Sequence, residues 1–172
     1  QLVAVLFAAV LVTSLYASVL LHEFGHVYGA IKHGVHVDGI TMWVLGGAAE
    51  ISEQPEDARV ELELTIAGRL VSLLLGVFAL VLAYATTPLA FDALTAYLFI
   101  LAVLNLSVLL LNLIPAFPLD GGRLLRAALT SRYGYDQGTK HATRIGKLVA
   151  VLIGVTALFA THVLGVLLSV FV

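Results

Sequence analysis

Cysteine is absent from the 172 residues, and charged residues make up only 12% of them. Without cysteine the chain forms neither disulfide bonds nor a thiolate metal site, so a bound metal must rest on histidine and carboxylate ligands. The net charge of -2, with only nine lysines and arginines, excludes a nucleic-acid-binding surface. Hydrophobic residues make up 60% of the chain, more than soluble domains carry. These proportions predict an integral membrane protein.

Four long apolar stretches follow one another, and each reaches the roughly 20 residues that a membrane-spanning helix needs. They cover residues 1–31, 64–90, 93–119 and 145–172. Polar and small residues near Thr161, His162 and Gly165 leave two alternatives for the last stretch, one long helix or a helix followed by the start of another. We expect a single transmembrane domain over residues 1–172, an all-α bundle of at least four crossings. Gln1 lies inside the first stretch without a charged leader, which is not typical of a signal peptide.

Residues 32–63 differ in character from the stretches on either side. β-Branched and aromatic residues at 40–45 are followed by Gly46, Gly47 and the sequence AAEI, a pattern that predicts a short β-hairpin at the membrane surface. An irregular loop is the alternative.

Basic residues indicate the orientation, because cytoplasmic loops are enriched in lysine and arginine. Six of the nine lie between residues 123 and 147, while the connection at 86–92 has none. We therefore expect a multi-pass protein of the cell membrane, with the end of the first stretch and the loop after the third both on the cytoplasmic side.

An H-E-x-x-H motif, formed by His22, Glu23 and His26, lies near the end of the first stretch. Residues four apart share one face of an α-helix and are separated by about 6 Å along its axis, so one Zn²⁺ can bridge the two imidazoles. Glu23 then lies beside the metal as a candidate general base. Histidines that only hydrogen-bond between helices are the alternative, although three ionisable residues inside an apolar helix point to a polar cavity.

Asp120 is the candidate third ligand, because it ends the third stretch on the side of the membrane where the first stretch ends. Pro115 and Pro118 break the helix just before it, and Asn112 can bond the freed carbonyls or contact substrate. Two histidines and one carboxylate leave a fourth zinc position for water. A simple helix stop at the interface is the alternative.

In these motifs the chain resembles the site-2 proteases, a family of intramembrane zinc metalloproteases. HEFGH, GGAAE, AGRLVS and NLIPAFPLDGGRLLRA stand in that family's order and spacing, and the likeness covers nearly the whole chain. It is strongest to the compact archaeal and bacterial members, whose core is six transmembrane helices. One of those helices precedes the H-E-x-x-H helix, so the resemblance implies that this chain lacks an N-terminal helix.

The resemblance implies one Zn²⁺ per chain on His22, His26 and Asp120, with Glu23 as the catalytic base. It also implies that residues 40–51, around the Gly46-Gly47 pair, receive an unfolded substrate as an added strand. The expected partners are the lipid bilayer and a transmembrane protein substrate of regulatory function.

Two positions depart from the family pattern. Arg69 stands where the family usually has proline, which places a charge near the start of the second stretch. Ser72 stands where some members have an asparagine that steadies the oxyanion, and its hydroxyl is a candidate for the same role.

The expected function is hydrolysis of peptide bonds within the membrane. A metal transporter with the same ligands is a rival hypothesis, but the helices between 64 and 119 lack a path of carboxylates to the opposite face. An inactive relative that binds a client without cutting is a second rival, and the intact Glu23 disfavours it. The remaining histidines receive no role in the site: His33, His36, His141 and His162.

Overall fold

A computed structural model of the chain describes residues 1–43, 46–51, 55–89, 92–159 and 169–170. Along the chain the elements are α1 (Leu2–Lys32), β1 (Val37–Trp43), β2 (Gly46–Ile51), α2 (Ala58–Thr86), a 3-10 turn (Thr87–Leu89), α3 (Asp92–Leu111), α4 (Asp120–Tyr133) and α5 (Tyr135–Phe159). This mostly helical structure with one small sheet confirms the predicted fold class. The predicted break near residue 161 lies outside the described residues.

The chain forms two compact units. The first contains Gln1–Glu53 and Ile66–Leu110, and the second contains Gln54–Thr65 and Leu111–Val172. The single-domain organisation of residues 1–172 stays a prediction.

Helix α1 buries the ionisable residues of its H-E-x-x-H motif and exposes most of its large apolar residues. Its buried positions repeat at three and four residues and include polar and small side chains: Ser18, His22, Glu23, Gly25, His26, Gly29 and Ala30. Its outer positions are large and apolar, with Leu2 73% and Val3 80% exposed. A soluble protein would bury such side chains, so this distribution indicates a helix surrounded by lipid.

Three described helices are long and apolar enough to cross a membrane: Leu2–Lys32, Ala58–Leu89 and Asp92–Leu111. They correspond to the first three predicted stretches, although the second begins six residues earlier and the third helix ends eight residues earlier than expected. The fourth stretch lies partly outside the described residues, and its crossing stays a prediction.

Polar side chains join α1 to α3 within the first unit. The hydroxyls of Ser14 and Tyr97 lie 2.6 Å apart, and the buried Asn105 amide donates to Ser18 Oγ at 3.3 Å. Hydrogen bonds of this kind hold helices together in lipid, where burial of apolar surface provides little driving force.

The predicted hairpin is present and begins three residues earlier than expected. β1 and β2 pair antiparallel, with Met42 opposite Gly47 and Trp43 opposite Gly46, and an irregularity between Val37 and Gly39 shifts the register. The hairpin packs against α1. It therefore lies next to the helix that carries the H-E-x-x-H motif.

In the second unit, the segment between α3 and α4 folds back in a series of tight turns. The amide of Ala116 donates to Ile114 O at 2.8 Å, and the amide of Leu119 donates to Ala116 O at 3.0 Å. The Phe117–Pro118 peptide bond is cis. These turns replace the end of the predicted third stretch and place Asp120 at the first position of α4.

Candidate metal centre

The two histidines of α1 face each other through their Nε2 atoms, which lie 3.0 Å apart. Their rings stand edge to face, with centroids 4.7 Å apart, and both side chains are buried. Two Zn–N bonds of 2.0–2.1 Å in tetrahedral geometry would separate the nitrogens by about 3.3 Å. The spacing of the pair therefore fits two ligands of one metal ion, and their role as ligands stays a prediction.

Ser72, on α2, holds the other side of the His22 ring. Its hydroxyl lies 2.8 Å from His22 Nδ1, and the serine is buried. A hydrogen bond at Nδ1 leaves Nε2 as the nitrogen that can bind a metal. Ser72 thus orients the ring of His22, a candidate metal ligand. Its role in stabilising an oxyanion stays a prediction.

Glycines allow α1 and α2 to approach each other closely beside His26. A Cβ atom on Gly25 would lie 2.7 Å from Gly68 Cα and 2.8 Å from Ala67 O. A Cβ atom on Gly68 would overlap the imidazole of His26. The ring therefore occupies the space that a side chain at position 68 would fill.

The hairpin fixes the carboxylate of Glu23. The backbone amide of Ala49, in β2, donates to Glu23 Oε2 at 3.0 Å, and both residues are buried. A Cβ atom on Gly47 would lie 2.8 Å from both Glu23 Cγ and Met42 Sδ. The predicted Gly46-Gly47 pair therefore includes one glycine that contacts the candidate base, and the role of the hairpin as a substrate edge stays a prediction.

Asp120 and Asn112 belong to the second unit. Asp120 is buried at the start of α4, and Asn112 is half-buried in the turns before it. A Cβ atom on Gly121 would overlap the Ile114 carbonyl, and one on Gly122 would lie 2.6 Å from Phe117 N. The two glycines after Asp120 therefore let the preceding turns pack onto the first turn of α4.

A buried ion pair that the sequence did not indicate supports this segment. Arg126 donates to Glu61 Oε1 through its Nε atom at 2.7 Å and also through Nη2. The guanidinium lies 5.5 Å from the ring centroid of Phe117 and 5.6 Å from that of Tyr135. In the sequence, the only signals of this pair are the acidic Glu61, in the first turn of the helix after the hairpin, and the position of Arg126 among the basic residues between 123 and 147.

The other described histidines have different surroundings. His33 follows the last turn of α1, His36 is exposed beside Asp38 at 3.6 Å, and the ring of His141 packs against Tyr133. His162 lies outside the described residues. Within the first unit the structure thus brings together His22, His26, Glu23, Ser72 and Gly47.

Comparison with known proteins identifies the family. The sequence profile of peptidase family M50 matches residues 10–91 and 83–153. A zinc metalloprotease of Methanocaldococcus jannaschii is 41% identical over 170 residues, which cover 97% of this chain and 48% of that protein. Stage IV sporulation protein FB of Bacillus subtilis is 28% identical over 144 residues, covering 82% of this chain and 48% of that protein.

The solved structure of the site-2 protease from M. jannaschii matches this one with a TM-score of 0.73 at 34% identity. The match covers 97% of this chain and 82% of that one. The chain spans about half the length of the curated relatives it matches. Together with three helices of membrane-spanning length, these matches show an integral membrane protein that belongs to peptidase family M50, the family of the site-2 proteases.

Proposed function

We propose that this chain is the catalytic core of a zinc metalloendopeptidase that hydrolyses peptide bonds in the transmembrane segments of regulatory proteins. The observation that carries the proposal is the convergence of the His22 and His26 Nε2 atoms on α1, the helix that also carries Glu23, whose buried carboxylate accepts a hydrogen bond from the Ala49 amide. Relatives named as zinc metalloproteases support the same activity.

The donor set fits one zinc ion. His22 and His26 supply two neutral nitrogens with converging Nε2 atoms, and we assign the third ligand to the buried carboxylate of Asp120. Two imidazoles and a carboxylate are a usual set for hydrolytic zinc, and they leave one position open. When bound, the ion supplies the Lewis acidity that polarises a peptide carbonyl and activates water.

Glu23 moves the proton in this mechanism. Because the Ala49 amide occupies Oε2, we assign Oε1 as the atom that takes a proton from the attacking water and passes it to the leaving amide nitrogen. With Nε2 of His22 on the metal, Nδ1 donates to Ser72 Oγ, which leaves the serine's own proton to donate. We propose that Asn112 and Ser72 donate to the carbonyl oxygen as charge develops on it.

The hairpin provides the binding surface in this proposal. A helical substrate hides its scissile carbonyl in intrahelical hydrogen bonds, so it must unwind before attack. Residues 40–51, around the Gly46-Gly47 pair, would receive the unwound segment as an added strand. Gly47, in the strand beside the bound substrate, would then lie against the Glu23 side chain.

Cleavage of a model single-span substrate by the purified protein tests the proposal. Wild type should cut; Glu23→Gln should lose about 10²- to 10⁴-fold in rate but retain its zinc. A chelator should abolish both cutting and bound zinc, and zinc should restore them. Full zinc occupancy in the wild type with no cleavage of any spanning substrate would favour a client-binding or transport role instead.

We also propose that the metal centre opens toward the cytoplasm, since six basic residues lie between 123 and 147. The cysteine-free chain makes this simple to test with single cysteines and a membrane-impermeant thiol reagent. Lys140→Cys should react only after the cytoplasmic face is exposed, and Thr87→Cys should react from the opposite side. The reverse pattern would contradict the proposed orientation.

A further inference from the structure

One face of α5 carries three exposed basic residues, Lys140, Arg144 and Lys147. Spacings of four and three residues place them on the same side of the helix. Among the residues that the structure describes, none of the three is engaged in an ion pair or a hydrogen bond. The acidic side chain nearest in sequence, Asp136, lies one turn earlier and is also exposed. These three cations therefore remain available to an external anion. We call them the basic face.

The opposite side of α5 consists of small buried residues. Gly138, Ala142 and Gly146 repeat every four residues and are all buried. A Cβ atom on Gly138 would lie 2.6 Å from Thr130 N, and one on Gly146 would lie 3.2 Å from Ala116 Cα. The helix therefore packs through this side against α4 and the turns before it. This close packing sets the rotation of α5 and turns the basic face outward.

The outward side of α5 becomes apolar directly after the basic face. Leu148, Val151, Leu152 and Val155 continue on that side and are between 46% and 66% exposed. Within about two turns the exposed surface changes from cationic to purely hydrocarbon. A phospholipid matches this change, because its anionic headgroup can contact the cations and its acyl chains can contact the apolar residues that follow. A soluble anion or an acidic peptide would leave the exposed apolar residues uncovered.

We propose that the basic face of α5 is a binding site for anionic phospholipid headgroups, with the acyl chains lying along the apolar continuation of the helix. The basic face is about 10 Å long at 1.5 Å per residue, and long basic side chains extend toward the interface. It can therefore span the headgroup layer of one leaflet, which is roughly 5–8 Å deep. Lipid binding at the basic face does not depend on proteolytic activity.

Lipid crosslinking in reconstituted bilayers tests the site. The full chain is placed in nanodiscs containing photoactivatable phosphatidylglycerol or phosphatidylcholine at equal fractions, and labelling of the peptide around residues 135–155 is quantified. Each basic residue near an anionic surface contributes about fivefold in affinity. Wild type should prefer phosphatidylglycerol, and Lys140→Gln with Arg144→Gln and Lys147→Gln should weaken its apparent affinity about a hundredfold.

Two control variants distinguish lipid binding at the basic face from a general effect of the protein's net charge. Lys140→Arg with Lys147→Arg keeps the charges and should keep the preference, while Lys32→Gln with Arg59→Gln removes charge elsewhere and should leave it unchanged. Arg144→Gln alone should weaken affinity about fivefold and serves if the triple variant unfolds. Equal labelling by the two lipids, a preference that survives the triple substitution, or competition by inorganic phosphate at constant ionic strength would overturn the proposal.

Discussion

Ser72 Oγ lies 2.8 Å from His22 Nδ1, so a hydroxyl on α2 holds the ring of a histidine on α1 whose other nitrogen faces His26. Partners of this kind fix the tautomer and the ring orientation of a metal ligand before the metal arrives.

Ser72→Ala should therefore weaken zinc binding by about 10- to 100-fold, because the His22 ring loses the contact that keeps Nε2 available. Competition with a chromogenic chelator measures the affinity without reference to catalysis. Ser18→Ala is the matched control, since it also removes a buried hydroxyl from the first unit. If both variants bind zinc as tightly as wild type, Ser72 does not position His22.

Gly68→Ala should abolish zinc binding, because the new methyl group would occupy the space of the His26 ring. Gly76 lies two turns later on α2, and a Cβ atom there would meet Leu106 Cδ2 and Cγ at 2.9 Å and Asn105 Cβ at 3.5 Å, side-chain atoms outside the metal centre. Gly76→Ala should bind zinc normally with at most a small loss of thermal stability. Zinc content after purification, measured by atomic absorption, distinguishes the two; a fully loaded Gly68→Ala protein would contradict the close approach of α1 and α2.

Gly47→Ala should lower the cleavage rate about 10- to 100-fold while leaving bound zinc unchanged. A methyl group there would press on Glu23 Cγ and Met42 Sδ at 2.8 Å, and displacement of a catalytic group by about 1 Å is costly. Gly39→Ala, in the paired strand, meets no atom within 4 Å and should cut normally. Equal rates for both variants would show that the hairpin does not set the position of Glu23.

Arg126→Met should destabilise the protein by about 3–5 kcal/mol, because it leaves the Glu61 carboxylate buried without its counter-ion. Adding Glu61→Leu should recover much of that loss, since the double variant removes both desolvated charges. Arg123 is half-buried on the same helix, so Arg123→Met serves as the control. Thermal unfolding in detergent measures the stability of the wild type and the three variants. A double variant no more stable than Arg126→Met would argue against an ion pair between Arg126 and Glu61.

The sequence alone determined what depends on local periodicity. Apolar runs longer than about 20 residues predict spanning helices whatever their neighbours, and a four-residue spacing puts His22 and His26 on one face of any α-helix. Glycines and β-branched residues likewise predicted the hairpin. The family followed from four motifs whose order needs no coordinates.

Only the tertiary structure decided which distant residues meet. Ser72 is 50 residues from His22, Ala49 is 26 from Glu23, and Arg126 is 65 from Glu61, and no periodicity relates them. The helix ends also differ from the prediction: α2 begins at Ala58 and includes Glu61, whose buried carboxylate pairs with the Arg126 guanidinium. Such pairs arise from packing of whole helices and strands, which brings together side chains that the chain order keeps apart.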